Sequence, residues 1–155
     1  MKQAAFLSLM FFLIFPLWPQ ERPLNTGLSN DEQYAFIGLM VSDVIERYGP
    51  PRTVAAARGI ELWQDDVIFQ YTGVDFYIFR DRVWQVRFSA THGISNGDSK
   101  TAVLLALGNR MGGSPQDRDD HLLLPVSGKN WPLMLRVNFN SSGQTSAIFL
   151  YRLDY

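Results

Sequence analysis

The stretch GLMVSDVIERYG, residues 38–49, begins and ends on glycine and carries apolar residues at helical spacing. The stretch GDSKTAVLLALG, residues 97–108, repeats this arrangement 59 residues later. Both glycines, a hydroxyl near the helix start and a pair of apolar residues recur at this offset. We therefore predict two short helices, closed by Gly49 and Gly108 in equivalent left-handed conformations. The recurrence indicates a chain built from one unit used twice.

Short runs rich in β-branched and aromatic residues follow each helix, separated by clusters of Asp, Asn, Ser and Gly that favour turns. A further helix is predicted ahead of the first, because Ser29 and Glu32 have the spacing of a capping box. The runs lie at residues 60–63, 67–71, 75–79, 83–88, 122–126, 131–139 and 145–152. We expect an α+β fold of two tandem helix–helix–antiparallel-sheet units packed as one domain, at residues 29–90 and 91–155.

The pattern G-x-x-x-[ST]-x-V-[IL]-x-x-x-G, followed by aromatic strands, resembles two related protein families. One is the small lipoprotein of the outer-membrane barrel-assembly machine (SmpA/OmlA-like), which carries a single such unit. The other is the secreted β-lactamase inhibitor protein, which carries two in tandem. The resemblance covers most of residues 37–155 and implies the two-unit fold and a role in holding another protein. This chain departs from the pattern in lacking the lipoprotein's anchoring cysteine and in having Gly108-Asn109-Arg110 where the family has Gly-x-Pro.

The N-terminal segment, residues 1–20, has the composition of a secretory signal. Lys2 precedes an unbroken apolar stretch from Ala4 to Phe15, which is shorter than the roughly 20 residues that span a bilayer and fits a signal-peptide core. We predict an exported protein, periplasmic or extracellular, with this segment a cleaved signal or an N-terminal anchor. A buried N-terminal helix is the alternative. The chain has no cysteine, so disulfides and a cysteine-linked lipid anchor are excluded.

The charge of the chain argues against a polyanionic partner. Without Lys2 there remain 13 basic residues against 15 acidic ones, and the basic residues are not clustered. A nucleic-acid surface would require a basic patch or stripe. We therefore expect no nucleic-acid partner, and contact with a membrane only through the N-terminal segment if it is not cleaved.

The residues that could support catalysis or bind a metal do not form a recognisable site. Neighbouring carboxylates in Asp65-Asp66 and Asp119-Asp120 would point to opposite faces of a strand, and no alternating calcium-loop pattern accompanies them. His92 and His121 are the two histidines, and no thiol is present to complete a zinc site. No G-x-S-x-G nucleophile motif occurs either. We predict no catalytic residues, no metal and no cofactor, and hence a protein that is not an enzyme.

Alternation along two strands predicts which side chains face the helices. The expected inward residues are Trp84, Val86, Phe88, Leu135, Val137 and Phe139. The opposite side would carry aromatic residues, methionine and arginine, which are enriched in protein interfaces. The predicted partner-binding residues are Tyr77, Phe79, Arg87, Met134, Arg136 and Tyr151. A second buried layer over this side is the alternative.

Two functions are consistent with these features. The leading hypothesis is an exported, non-catalytic protein-binding module that serves in envelope assembly or acts as an inhibitor of an enzyme. The alternative is an enzyme or small-ligand carrier with a pocket between the two units, and with Asp65, Asp66 or His92 at its mouth.

Overall fold

A computed structural model describes residues 23–58, 66–108, 115–127 and 130–154. The predicted export segment at 1–20 and the predicted strand at 60–63 lie outside these residues. The described helices are α1 (Asn30–Tyr34), α2 (Val41–Tyr48) and α3 (Lys100–Gly108). The described strands are β1 (Thr53–Ala57), β2 (Asp66–Tyr71), β3 (Val74–Phe79), β4 (Arg82–Phe88), β5 (Ala90–Thr91), β6 (Ile94–Ser95), β7 (Gln116–Asp117), β8 (His121–Ser127), β9 (Pro132–Phe139) and β10 (Thr145–Arg152).

One antiparallel sheet dominates the described residues, with eight strands in the order β1-β2-β3-β4-β10-β9-β8-β7. Strands β5 and β6 form a separate hairpin. The predicted α+β arrangement of two helix–helix–sheet units is therefore wrong, because the described residues are mostly strand, with short helices. The physical reason is the pairing of β4 with β10, in which Val86 lies opposite Leu150. This pairing joins both meanders in one backbone hydrogen-bond ladder.

Most of the predicted strands are confirmed, and the strands that were missed are short or poor in strand-forming residues. Strand β1 has the sequence TVAAA, and alanine is depleted in strands. It forms nevertheless because all of its residues pair with β2, from Thr53 opposite Gln70 to Ala57 opposite Asp66. The β5–β6 hairpin turns at His92 and Gly93, which have φ of 54° and 76°, as a tight two-residue hairpin turn requires.

The helices pack on one face of the sheet and bury its core. Their buried residues include Phe36 just after α1, Val44 of α2, and Val103 and Leu107 of α3. From the sheet, the core receives Val74, Phe76, Val83, Val86, Phe88, Leu135, Val137, Ile148 and Leu150. Five of the six predicted inward residues, all except Trp84, are buried.

A β-bulge in β4 explains why the prediction for Trp84 is wrong. Tyr77 lies opposite Gln85, but the next residue of β3, Ile78, lies opposite Val83, so Trp84 is an extra residue in the ladder. Val83 occupies the core in its place. The Trp84 indole donates a hydrogen bond to Asp66 Oδ1 (3.0 Å) on the other side of the sheet. A bulge changes the alternation of every residue that precedes it in the strand.

The helix ends match the sequence analysis at some positions and differ at others. The capping box is confirmed, with Ser29 N–H donating to Glu32 Oε2 (2.8 Å) and Glu32 N–H donating to Ser29 Oγ (3.3 Å). Gly49 follows α2 with φ of 76°. Gly108, in contrast, is the last residue of α3, and its φ is not positive. The predicted equivalence of Gly49 and Gly108 is therefore wrong, because α3 includes its final glycine as a helical residue.

The glycines at the start of the two repeated stretches have the same backbone geometry. Gly38 and Gly97 have φ of 90° and 92°. Each donates its N–H over 2.8 Å to a strand carbonyl, Gly38 to Val83 of β4 and Gly97 to Thr145 of β10. The central strands of the sheet thus hold both stretches in the same way.

Candidate functional site

We call the side of the sheet opposite the helices the outer face. Two neighbouring rows of side chains run across its strands. In β3, β4, β8, β9 and β10 these side chains alternate with buried core residues such as Phe76, Val86 and Leu135. Cross-strand pairing continues both rows into β2 and β1. In order across the sheet, the first row is Pro125, Met134, Tyr151, Gln85, Tyr77, Ile68 and Ala55. The second row is Leu123, Arg136, Phe149, Arg87, Asp75, Gln70 and Thr53.

The structure brings the predicted partner-binding residues together on this face. The first row contains Met134, Tyr151 and Tyr77, and the second contains Arg136 and Arg87. Phe79 is the one predicted residue outside both rows. It lies at the end of β3, two positions beyond Tyr77 on the same side, and the guanidinium of Arg80 is 5.1 Å from the centre of its ring. A role of these residues in binding stays a prediction.

An aromatic pair lies across the centre of the outer face. Tyr77 on β3 and Phe149 on β10 meet edge to face, with ring centroids 6.2 Å apart and an interplanar angle of 69°. Burial raises the pKa of Tyr77, and the positive charge of Arg87 offsets part of that rise. The phenol is therefore neutral at neutral pH and can donate a hydrogen bond. The pair gives the face a rigid, amphipathic centre.

The two arginines of the second row are held in different ways. Arg87 forms an ion pair with Asp75, which is 7% exposed, while 46% of the Arg87 side chain remains accessible. Arg136 Nε donates to the amide oxygen of Asn138 (2.7 Å). A neutral acceptor orients this guanidinium without cancelling its charge. Arg136 is thus the better placed of the two to meet an acidic group from outside.

The aspartate doublets are not brought together. Asp66 is the first residue of β2 and accepts the hydrogen bond from Trp84 described above, while Asp65 lies outside the described residues. Asp119 and Asp120 are exposed ahead of β8. A hydrogen bond from His121 lowers the pKa of Asp120. Across residues 23–58, 66–108, 115–127 and 130–154, no group of three or more His, Asp or Glu side chains could hold a metal ion.

His92 is buried in a hydrogen-bonded chain that the sequence did not reveal. Its Nε2 lies 2.7 Å from the Tyr34 hydroxyl, and its Nδ1 lies 2.7 Å from the Thr91 hydroxyl. Thr91 in turn donates to the side-chain oxygen of Gln33. Tyr34 and Gln33 come from α1, 58 residues away from their partners. The network fixes the β5–β6 hairpin to α1, and a side chain 4% exposed is not at the mouth of a pocket.

Comparison with known proteins does not identify a family for this chain. No protein-family model matches the sequence, and no curated protein is significantly similar to it. Among solved structures, an extracellular protein containing a SCP domain from Bacillus anthracis is 10% identical, with a TM-score of 0.48 over 88% of this chain and 49% of its own. A DUF4309 family protein from Bacillus subtilis is 11% identical, with a TM-score of 0.41 over 73% and 78% of the two chains.

These likenesses are too weak to support an inference about fold or function. This chain also spans only about half the length of the SCP-domain protein. Neither protein belongs by name to the families that the glycine pattern resembles, so that resemblance stays a prediction. Among the described helices, none has the length and apolar character needed to cross a membrane.

Proposed function

We propose that this chain is an exported, non-catalytic binding module that holds another protein on the outer face of its sheet. One observation carries the proposal, namely that the aromatic residues Tyr77, Tyr151 and Phe149 lie beside Arg87 and Arg136 on the sheet face opposite the helices. Tyrosine and arginine dominate the energetics of protein interfaces. Planar aromatic rings also offer a large contact area with few rotatable bonds, so little entropy is lost on binding.

The chemistry of the face defines the partner. The centre, around Tyr77 and Phe149, is apolar with a phenol donor, and Arg136 adds a positive charge toward one side. A complementary protein surface presents an apolar patch with an aspartate or glutamate beside it. The partner is an envelope-assembly component or an enzyme that the module inhibits. Export is supported by the apolar run that begins the sequence.

The first step of the test uses two variants of the chain, each with one photoreactive residue, placed on opposite sides of the sheet. Position Tyr151 lies on the outer face, while Leu105 on α3 is 75% exposed and belongs to the opposite side. Cross-linking in the producing cell should give a discrete product from position 151 that is absent from position 105. Mass spectrometry would identify the cross-linked protein, which is then purified.

The second step measures the affinity of this purified protein for variants of the chain by titration. Arg136→Ala and Tyr151→Ala should each weaken its binding about thirtyfold, since an interface anchor contributes 2 kcal/mol or more. Leu105→Ala is the matched control and should bind as the unchanged chain does. Circular dichroism would check that all three variants are folded. Equal affinity of the outer-face variants and the control would contradict the proposal.

A further inference from the structure

Strand β1 forms one edge of the eight-stranded sheet. Within the described ranges, β2 is the only strand that pairs with it. An edge strand presents a row of N–H and C=O groups that can pair with another chain, and proteins usually block it with a charge, a proline or a bulge. Strand β1 has none of these, because its sequence is TVAAA and its register with β2 is continuous from Thr53 to Ala57.

The opposite edge of the same sheet is protected in the usual ways. Strand β7 consists of Gln116 and Asp117 alone, and both are exposed. Asp117 forms an ion pair with Lys100 of α3, and Arg118 follows it in the sequence. A strand this short and this charged is a poor template for a further strand. The contrast indicates that β1 is the edge at which the sheet can be extended.

The side chains of β1 show what an added strand should supply. Val54 is 59% exposed, and Val67 of β2, which lies opposite Ala56, is 43% exposed. Alternation puts Val54 and Ala56 on one face of the strand, with Val67 beside them. The alanines of β1 offer little cross-strand contact. An incoming strand with β-branched side chains would cover this apolar strip and make the contacts that the alanines do not.

Arginines stand at both ends of the strand. Arg52 precedes β1 and Arg58 follows it, and both are exposed. In an extended chain this spacing corresponds to about 20 Å. Asp66, opposite Ala57, points to the other face, where it binds Trp84. Carboxylates near both ends of an added strand would therefore be attracted, since opposite charges on neighbouring strands are favourable.

A second copy of this chain fits the edge poorly. Antiparallel pairing of two β1 strands about Ala55 would place Arg52 of each copy opposite Arg58 of the other, and like charges directly opposite destabilise a pair. It would also join two eight-stranded sheets into one of sixteen strands, whereas twisted open sheets rarely exceed about ten strands. The edge therefore fits a single strand from a different polypeptide.

We propose that β1 binds an extended segment of another protein by strand addition, and that this segment has β-branched residues between two acidic residues. In this mode of binding, main-chain hydrogen bonds provide affinity and alternate side chains provide specificity. The surface is distinct from the outer face, because the added strand lies beside the sheet and not on it. The inference therefore holds whether or not the outer face binds a protein.

A synthetic peptide tests the partner class. Its sequence is Glu-Val-Thr-Val-Thr-Val-Glu with blocked ends, so that its two carboxylates have the spacing of Arg52 and Arg58. Fluorescence anisotropy should show saturable binding of the labelled peptide to the chain. A version with lysine at both ends should bind at least about tenfold more weakly. A version with proline in place of both threonines keeps the charge but cannot form the ladder, and should not bind. The proposal is overturned if the first peptide does not bind, or if either altered version binds as tightly.

Hydrogen–deuterium exchange locates the bound peptide, since added hydrogen bonds slow the exchange of edge N–H groups. Residues 53–57 should exchange more slowly when the peptide is present, and protection confined to other residues would overturn the proposal. The chain alone should sediment without pairing through this edge. A dimer in which residues 53–57 are protected would assign the edge to a second copy and would also overturn it.

Charge reversal tests the role of the flanking arginines. Arg58→Glu should weaken binding of the acidic peptide at least about threefold. Arg118→Glu is the matched control, because it makes the same charge change at the opposite edge of the sheet, and it should leave binding unchanged. Equal losses in the two variants, or no loss at position 58, would contradict the proposal.

Discussion

Gly49 has a backbone conformation that is essentially restricted to glycine, with φ of 76° and ψ of −173°. Gly108 closes α3 without a positive φ, and a Cβ added there would meet no atom within 4 Å. We expect Gly49→Ala to lower the free energy of unfolding by about 1–3 kcal/mol. Gly108→Ala should be neutral or stabilising by up to about 1 kcal/mol, because it reduces the freedom of the unfolded chain. Urea denaturation of both variants measures the difference, and similar losses would contradict it.

Tyr34 makes the stability of the fold depend on pH in the alkaline range. Burial, together with a smaller contribution from the charge of Asp31, raises its pKa to about 12. A folded-state pKa above the unfolded value near 10 means that the stabilisation is complete below about pH 10 and is lost as the pH rises through about 12. The free energy of unfolding should therefore fall across this window.

The variant Tyr34→Phe tests this pH dependence. At pH 8 it should be less stable by about 1–3 kcal/mol, because Nε2 of the buried His92 ring loses its hydrogen bond to the Tyr34 hydroxyl. Between pH 10 and 12 its stability should fall less steeply than that of the unchanged chain. Some slope should persist, since burial also raises the pKa values of Tyr48, Tyr71 and Tyr77. An unchanged slope would exclude Tyr34 as a contributor.

At the scale of single elements, the bulge in β4 determines which residue of the strand enters the core. Val83 is completely buried, so Val83→Ala should cost about 2–3 kcal/mol through lost burial and a cavity. Trp84→Phe should cost only about 1 kcal/mol, because it removes the hydrogen bond to Asp66 and leaves the core intact. The urea midpoints of the two variants measure these losses of stability. A larger loss for the Trp84 variant would mean that the regular alternation predicted from the sequence was right.

The same strand shows how far a sequence can specify an element. Alternation correctly assigned Val86 and Phe88 to the core, because these positions lie beyond the bulge. It failed at Trp84, since a bulge is a property of the pairing with β3 and is not visible in either strand alone. Strand β1 was missed for a related reason. Its alanines carry little strand propensity, and pairing with β2 supplies what the local sequence lacks.

At the scale of the whole molecule, the side on which each candidate residue lies could be predicted, but its partners could not. The period of two along a strand placed Tyr77 and Arg136 on the outer face. The register that sets Asp75 opposite Arg87 comes from the pairing of β3 with β4, and no pattern in the sequence specifies it. The single sheet likewise depends on the contact between β4 and β10, whose sequences are far apart in the chain.

One packing contact between the two halves of the sequence can be isolated by comparing two equivalent glycines. A Cβ on Gly38 would lie 2.8 Å from Trp131 Nε1, whereas a Cβ on Gly97 would meet no atom within 4 Å. The Trp131 ring also contacts Arg152, whose guanidinium is 3.6 Å from the ring centre. Both alanine variants should suffer the strain of a positive φ, about 1–2 kcal/mol. Gly38→Ala should lose about 1 kcal/mol more, because it also displaces a ring that carries a cation–π contact.

A Trp131→Ala background separates these two contributions to the free energy of unfolding. Removing the ring removes the clash, so Gly38→Ala and Gly97→Ala should then cost the same amount. Double-mutant cycles, measured by urea denaturation, give the coupling free energy between each glycine and Trp131. If Gly38→Ala still costs more than Gly97→Ala without the ring, the requirement for glycine at position 38 comes from the backbone and not from the contact with Trp131. Loss of the difference would establish that Trp131 joins the segment before α2 to the strand β9 on the far half of the sheet.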